Sequence, residues 1–195
     1  MPRYGVAPHG DPLDLAELFG TDTPVVLEIG SGMGDATAAM ALADSETGIL
    51  ACEVHDAGVA NLLQTLAAEG LENVRVLHGD AVELLHQRVP AGALAGVRVF
   101  FPDPWHKARH RKRRLIQPAF ASLVSSRLSP GGYLHCATDW SDYANQMLEV
   151  LSAEPRLRNI HEGFAPDTRD RPVTRYEQRG IGKGHQIYDL VFTRI

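Results

Sequence analysis

Cysteine is nearly absent: Cys52 and Cys136 are the only two in 195 residues. That argues against a disulfide-stapled scaffold and fits a reducing compartment, the cytoplasm. Both lie in apolar strand-like runs, where a small core residue is the expected role. No apolar run approaches the roughly 20 residues that a membrane span needs. Met1 to Gly10 lacks a basic start followed by an apolar stretch, so no secretory signal is read there. Repeats and low-complexity tracts are missing as well. A positive balance is also lacking: 19 basic against 24 acidic residues give −5. Taken alone, that argues mildly against a nucleic-acid partner.

The distribution of charge says otherwise. Residues 107–114 read K-A-R-H-R-K-R-R and hold six of the 19 basic residues with no acid. The remainder carries 13 basic and 24 acidic residues, or −11. An acidic body with one concentrated basic segment suggests a local anion site. Hydrophobic residues at 44% and charged residues at 22% are ordinary for a globular chain. The length suits one α/β domain.

Residues 1–23 are rich in Pro, Gly and Asp and read as a loose lead-in with one short helix at Asp11 to Phe19. A single domain is expected over 24–195. Short apolar runs at Val25–Ile29, Gly48–Val54, Val74–His78 and Val97–Phe101 read as buried strands. Helical patterns at Ala36–Ala43, Ala57–Glu69 and Ala81–Arg88 separate them. Later come a helix near Leu115–Leu128, a turn at Ser129–Gly132, a strand at Tyr133–Thr138 and a helix at Tyr143–Leu151. Strand-like Leu157–Ile160 and Gln186–Thr193 end the chain. The alternation predicts an α/β fold: a mostly parallel sheet with helices on both faces and an antiparallel hairpin at one edge.

Strand Val25–Ile29 runs into Gly30-Ser31-Gly32-Met33-Gly34-Asp35. Glycines allow a sharp turn and close approach to a ligand. The next helix points its N–H groups at the same place. A dinucleotide fingerprint would need glycine where Asp35 stands. The pattern E-x-G-x-G-x-G suggests instead a cofactor without a pyrophosphate, whose amino and sulfonium groups favour carboxylates; a purely structural turn is the alternative. Glu28, Glu53 and Asp80 each follow or end a successive strand. Glu53 can accept from ribose hydroxyls and Asp80 from an adenine amino group, although Asp80 also suits a helix N-cap. Three acids at three strand ends form the layout of an S-adenosylmethionine pocket.

The fourth strand ends in F-P-D-P-W-H-K-A-R-H-R-K-R-R-L. Two prolines fix the backbone around Asp103. Trp105 is either core or an aromatic wall of the site. The basic run is either a solvated helix start or a phosphate-binding segment, and repulsion among six like charges favours the second. A metal site from His106 and His110 is disfavoured by the surrounding cations.

These motifs, with A-T-D-W at 137–140 and T-R-Y-E-Q-R-G at 174–180, resemble the tRNA (guanine-N7-)-methyltransferases. The resemblance runs from about Val25 to the C-terminus, in order. It implies a Rossmann-like class I methyltransferase fold with a seven-stranded sheet, S-adenosyl-L-methionine as donor and guanosine 46 of the tRNA variable loop as substrate. It implies Glu28, Gly30, Gly32, Gly34, Glu53, Asp80 and Asp103 as the cofactor pocket, and Asp103 as the catalytic residue. Lys107, Asp139, Thr174, Arg175, Tyr176 and Glu177 would hold the substrate. Arg109, His110, Arg111, Lys112, Arg113 and Arg114 would contact RNA. No metal, no membrane and no obligate protein partner is expected, with the chain a monomer or homodimer. Two departures stand out. Only Arg3 supplies positive charge before the first strand, and His106 stands where proline is common, which predicts a less rigid loop.

Guanine N7 carries no proton, so no strong base is required. The expected task is to align N7 with the donor methyl group, with Asp103 and Asp139 gripping base N–H groups. Thr174 and Glu177 would join them, or Glu177 would pair structurally with Arg175 or Arg179. Two other readings keep part of the pattern: a methyltransferase for a small molecule or protein, and a non-catalytic RNA-binding module. A nicotinamide dehydrogenase is disfavoured by Asp35.

Overall fold

The structure is a computed structural model, which describes residues 3–166, 171–173, 177, 182, 184 and 186–195. The apolar runs form the inner strands of one sheet: β2 (Val25–Ile29), β3 (Gly48–Glu53), β4 (Val74–His78) and β5 (Leu94–Phe100). Every residue of β2 and β3 is buried, as expected for parallel strands covered on both faces. Successive side chains alternate between two cores. Ile49 and Ala51 face the layer of α2 (Asp35–Ala43) and α3 (Asp56–Glu69). Leu50 and Cys52 face the layer of α4 (Ala81–Gln87), α5 (Pro118–Arg127) and α6 (Ser141–Ser152).

Among the described residues the sheet has eight strands, not seven, in the order β1-β4-β3-β2-β5-β6-β8-β7. Strands β1 to β6 (Leu128–Thr138) pair in parallel; β8 (Tyr188–Arg194) runs antiparallel between β6 and β7 (Leu157–Asn159). The additional strand is β1 (Gly5–Val6), alongside Val76 and Leu77 of β4. Two residues are too few to show periodicity, so pairing alone reveals it.

The lead-in is accordingly tied down. Tyr4 is buried and its hydroxyl donates to the Leu66 carbonyl. The buried Arg88 guanidinium donates to the carbonyls of Ala7 and Asp11. The short helix α1 (Leu15–Phe19) starts at Asp14, whose carboxylate caps it by accepting from the Glu17 N–H at 3.0 Å. Residues 129–132 also differ from expectation: they lie within β6, whose register against β5 shifts between Leu94 and Gly96.

The winding reverses at β2, which lies between β3 and β5. Ligands of such sheets sit beyond the strand carboxyl ends at this point. The glycine turn leaves β2 there, and the Asp103 loop leaves β5 beside it.

Candidate active site

Gly30, Gly32 and Gly34 have φ of 77°, 56° and 82°, a left-handed region that side chains rarely adopt. A Cβ at Gly30 or Gly32 would meet nothing within 4 Å, so both backbones face open space. Gly34 instead lies against Leu62 of α3. Gly58 of the same helix packs on the Gly32 carbonyl, where a Cβ would come within 2.3 Å. Gly58 therefore lets α3 support the turn. Its place in an ordinary helical pattern hides that role in the sequence.

The three acids at the strand ends are held differently. Glu28 is buried on β2, and burial pushes its carboxyl above the usual range. Thr37 and Arg98 pull the other way, and the Glu53 charge adds to the rise. Glu28 Oε2 and Ser31 Oγ, both on cavity-lining residues, are buried without a hydrogen-bond partner among the described residues. Two such atoms at one glycine turn suit a polar ligand. Glu53 is locked by backbone: Oε2 accepts from Gly32 N–H at 2.7 Å, and Oε1 from Val54 and His55 N–H at 2.8 and 2.9 Å. Asp80 is the N-cap of α4, its Oδ1 accepting from Val82 and Glu83 N–H at 2.7 and 3.2 Å. It nonetheless lines the cavity, so capping and lining coexist.

One cavity of about 610 Å³ joins these groups to the loop after β5. Glu28, Gly30, Gly32, Gly34, Glu53, Asp80, Asp103, Trp105 and Arg113 all line it, a size common for small-ligand sites. Phe101 and Trp105 hold φ of 51° and 44°, on either side of Pro102-Asp103-Pro104. Bulky residues rarely occupy this region, and such strain is concentrated at functional sites. The Arg113 guanidinium lies 5.0 Å from the centre of the half-buried Trp105 ring. His106 packs against Trp140 with ring centres 4.0 Å apart, which ties the loop to the end of β6. The histidine therefore supplies a contact where the sequence predicted less rigidity.

A family model described as "Putative methyltransferase" matches residues 22–190. A tRNA (guanine-N(7)-)-methyltransferase of Acidovorax sp. (strain JS42) is 53% identical over 193 residues, covering 99% of this chain and 77% of that protein. One from Streptomyces avermitilis is 54% identical, covering 100% and 68%. This chain belongs to the tRNA (guanine-N(7)-)-methyltransferase family. Solved structures share its fold at low identity. The 16S rRNA methyltransferase KamB superposes with a TM-score of 0.67 at 15% identity, over 95% of both chains. TrmN from Thermus thermophilus gives 0.63 at 17% identity, over 93% of this chain and 47% of that one.

For a member of the tRNA (guanine-N(7)-)-methyltransferase family, the expected RNA-side residues divide unevenly. Lys107, Arg109, Arg111 and Lys112 are exposed on or beside a 3-10 turn, Ala108–Arg113, with His110 half-buried among them. Arg111 pairs with Asp142 at 2.9 Å. Arg114 departs from the expectation of RNA contact, because its side chain is only 1% exposed. It donates to the Pro104 carbonyl at 2.8 Å, to Gln146 at 2.6 Å and to Asp142 at 2.6 Å, and lies over Tyr143. That guanidinium anchors the loop and has no face left for a phosphate.

Asp139 follows β6, half-buried beside Trp140. Thr174, Arg175 and Tyr176 lie outside the described residues, as does Arg179. Glu177 is buried and pairs with Arg171 at 2.5 Å, a partner that the sequence did not suggest. No helix among the described residues is long and apolar enough to cross a membrane.

Proposed function

We propose that this protein transfers the methyl group of S-adenosylmethionine to N7 of guanosine 46 in the variable loop of tRNA. In this reading it works in the cytoplasm, as a monomer or homodimer, without an obligate protein partner. The observation that carries the reading is the continuity of one cavity. It runs from the glycine turn with its unpartnered polar atoms to the strained Asp103 loop, and a cationic turn follows directly.

The residues present suit such a donor. Glu28 Oε2 and Ser31 Oγ offer buried, unpartnered acceptors where an amino group would sit. A cation there would draw the Glu28 carboxyl back toward its ionised form. Glu53 is already oriented by three backbone N–H groups, so it can receive ribose hydroxyls without reorganising. Asp80 has both cap bonds on Oδ1, so its other oxygen can accept from an adenine amino group. When bound, S-adenosylmethionine supplies a methyl group on a positively charged sulfur.

On the acceptor side, Asp103 is exposed at the far end of the cavity and takes hydrogen bonds from the guanine edge. Asp139 assists from the end of β6. Their carboxylates offset the positive charge that the ring gains as N7 reacts. N7 has no proton to lose, so these carboxylates position the base and do not deprotonate it. Lys107, Arg109, Arg111 and Lys112 hold phosphates around the base, which leaves its stack to enter the site.

Incubation with labelled donor and an unmodified tRNA transcript, then nucleoside analysis, tests the proposal. The expected product is 7-methylguanosine. A methyl group on another atom, or none, would overturn it.

A further inference from the structure

The network around Arg171 plays no part in the chemistry described so far. Arg171 lies outside the helices and strands, yet its side chain is only 2% exposed. Its Nε and Nη2 donate to the two carboxylate oxygens of Asp189 on β8, at 2.9 and 3.1 Å. Its Nη1 donates to Glu177. Asp189 Oδ1 also lies 2.7 Å from His135 Nε2 on β6. One flat guanidinium thus joins Asp189 on β8 to Glu177.

The same guanidinium lies 5.2 Å from the ring centre of Phe100 and 5.4 Å from that of Phe101. Phe101 is the left-handed residue two positions before Asp103. His135 packs edge-on to Phe100. Arg171 therefore touches the Asp103 loop through its aromatic lead and holds the buried Glu177 through a direct bond. Burial works against a charge on Arg171, but Asp189 and Glu177 outweigh it and hold the guanidinium protonated. Burial likewise raises Asp189, yet His135 and Arg171 bring its carboxyl down to about 2.

A buried ion network is weak evidence for stability, since apolar packing would serve as well. Its value here is geometric. A planar fork fixes a carboxylate through two bonds while its face carries the rings, and lysine can do neither.

We propose that Arg171 is a positioning residue that sets the Asp103 loop against β8, with Glu177 holding its guanidinium in place. This inference rests on the function proposed above for Asp103. Arg171 acts through Phe101, without touching the reacting atoms.

The test uses Arg171→Lys, which keeps the charge, because Arg171→Ala leaves two acids without their cation and can fail to fold. The chain has two tryptophans, Trp105 and Trp140. In a Trp140→Phe background, Trp105 fluorescence therefore reports the loop alone. Arg171→Lys should raise acrylamide quenching of Trp105 at least about twofold. It should lower the single-turnover methylation rate at least about tenfold, with S-adenosylmethionine affinity within about threefold of the parent. Unchanged Trp105 quenching overturns the proposal. So does a rate loss matched by an equal loss of folded protein, measured by circular dichroism. If the parent protein methylates no tRNA guanine but the quenching change appears, the functional reading fails and the positioning role stands.

Discussion

The glycine turn and the Asp103 loop share one cavity but are held by different means. At the glycine turn the fixing groups are backbone: three N–H groups lock Glu53, two are capped by Asp80, and α3 supports Gly32 through Gly58. Around Asp103 they are side chains, two of them from far along the chain. Arg114 grips Pro104 from one side, Trp140 meets His106 from another, and Arg171 carries Phe101. The donor end is thus built by sheet topology and the acceptor end by long-range packing. The overall fold is shared with solved structures at 15–17% identity.

Four experiments can break or sharpen that contrast. Asp103→Ala should have the largest effect, with single-turnover methylation falling about a thousandfold, or ~4 kcal/mol of barrier. Donor affinity, read by calorimetry, should stay within about threefold. Near-normal turnover would remove Asp103 from the acceptor half.

Next comes the anchor. Arg114→Ala should destabilise the fold by about 2 to 3 kcal/mol in urea titration, since it removes a buried cation and its bonds. Arg111→Ala, which breaks an exposed pair to the same Asp142, should cost under about 0.5 kcal/mol. Equal losses from the two would erase the distinction between anchor and surface.

Glu28→Gln should weaken donor binding about thirtyfold, the equivalent of ~2 kcal/mol for a lost charged hydrogen bond. Apo stability near pH 7 should hold or rise, because burial already penalises the ionised carboxylate. The sign follows from the raised folded value: an ionised Glu28 opposes folding above its unfolded range, and the penalty fades as the pH falls. Lower apo stability in the variant would contradict this account.

The smallest effect belongs to the exposed cations. Replacing Arg109, Arg111 and Lys112 together by Ala should lower the salt slope of tRNA binding by about two. An unchanged slope would leave the basic turn without a phosphate role.

The same contrast explains what could be read from the sequence. The strands, the glycine turn and the acids at the strand ends were legible because short apolar runs and turn chemistry are local. Strand β1 was not, since Gly5 and Val6 carry no period and need β4 to define them. Arg114 looks like its five basic neighbours in K-A-R-H-R-K-R-R, and only packing against Tyr143 and Asp142 separates it from them. Arg171 is one of four arginines between Arg169 and Arg179, and its partners lie on β8 and at Glu177. His106 read as a lost proline, while Trp140 makes it a contact. Local patterns thus describe the donor end, whereas the acceptor end becomes visible only in three dimensions.

The most direct measurement maps the methyl group on the RNA. 7-Methylguanosine becomes a strand-cleavage site after reduction and treatment with aniline. A transcript methylated by this protein should cleave once, at guanosine 46, and a transcript with adenosine there should not cleave. Cleavage elsewhere, or a labelled transcript that resists cleavage, would contradict the assignment of this cavity to guanine N7.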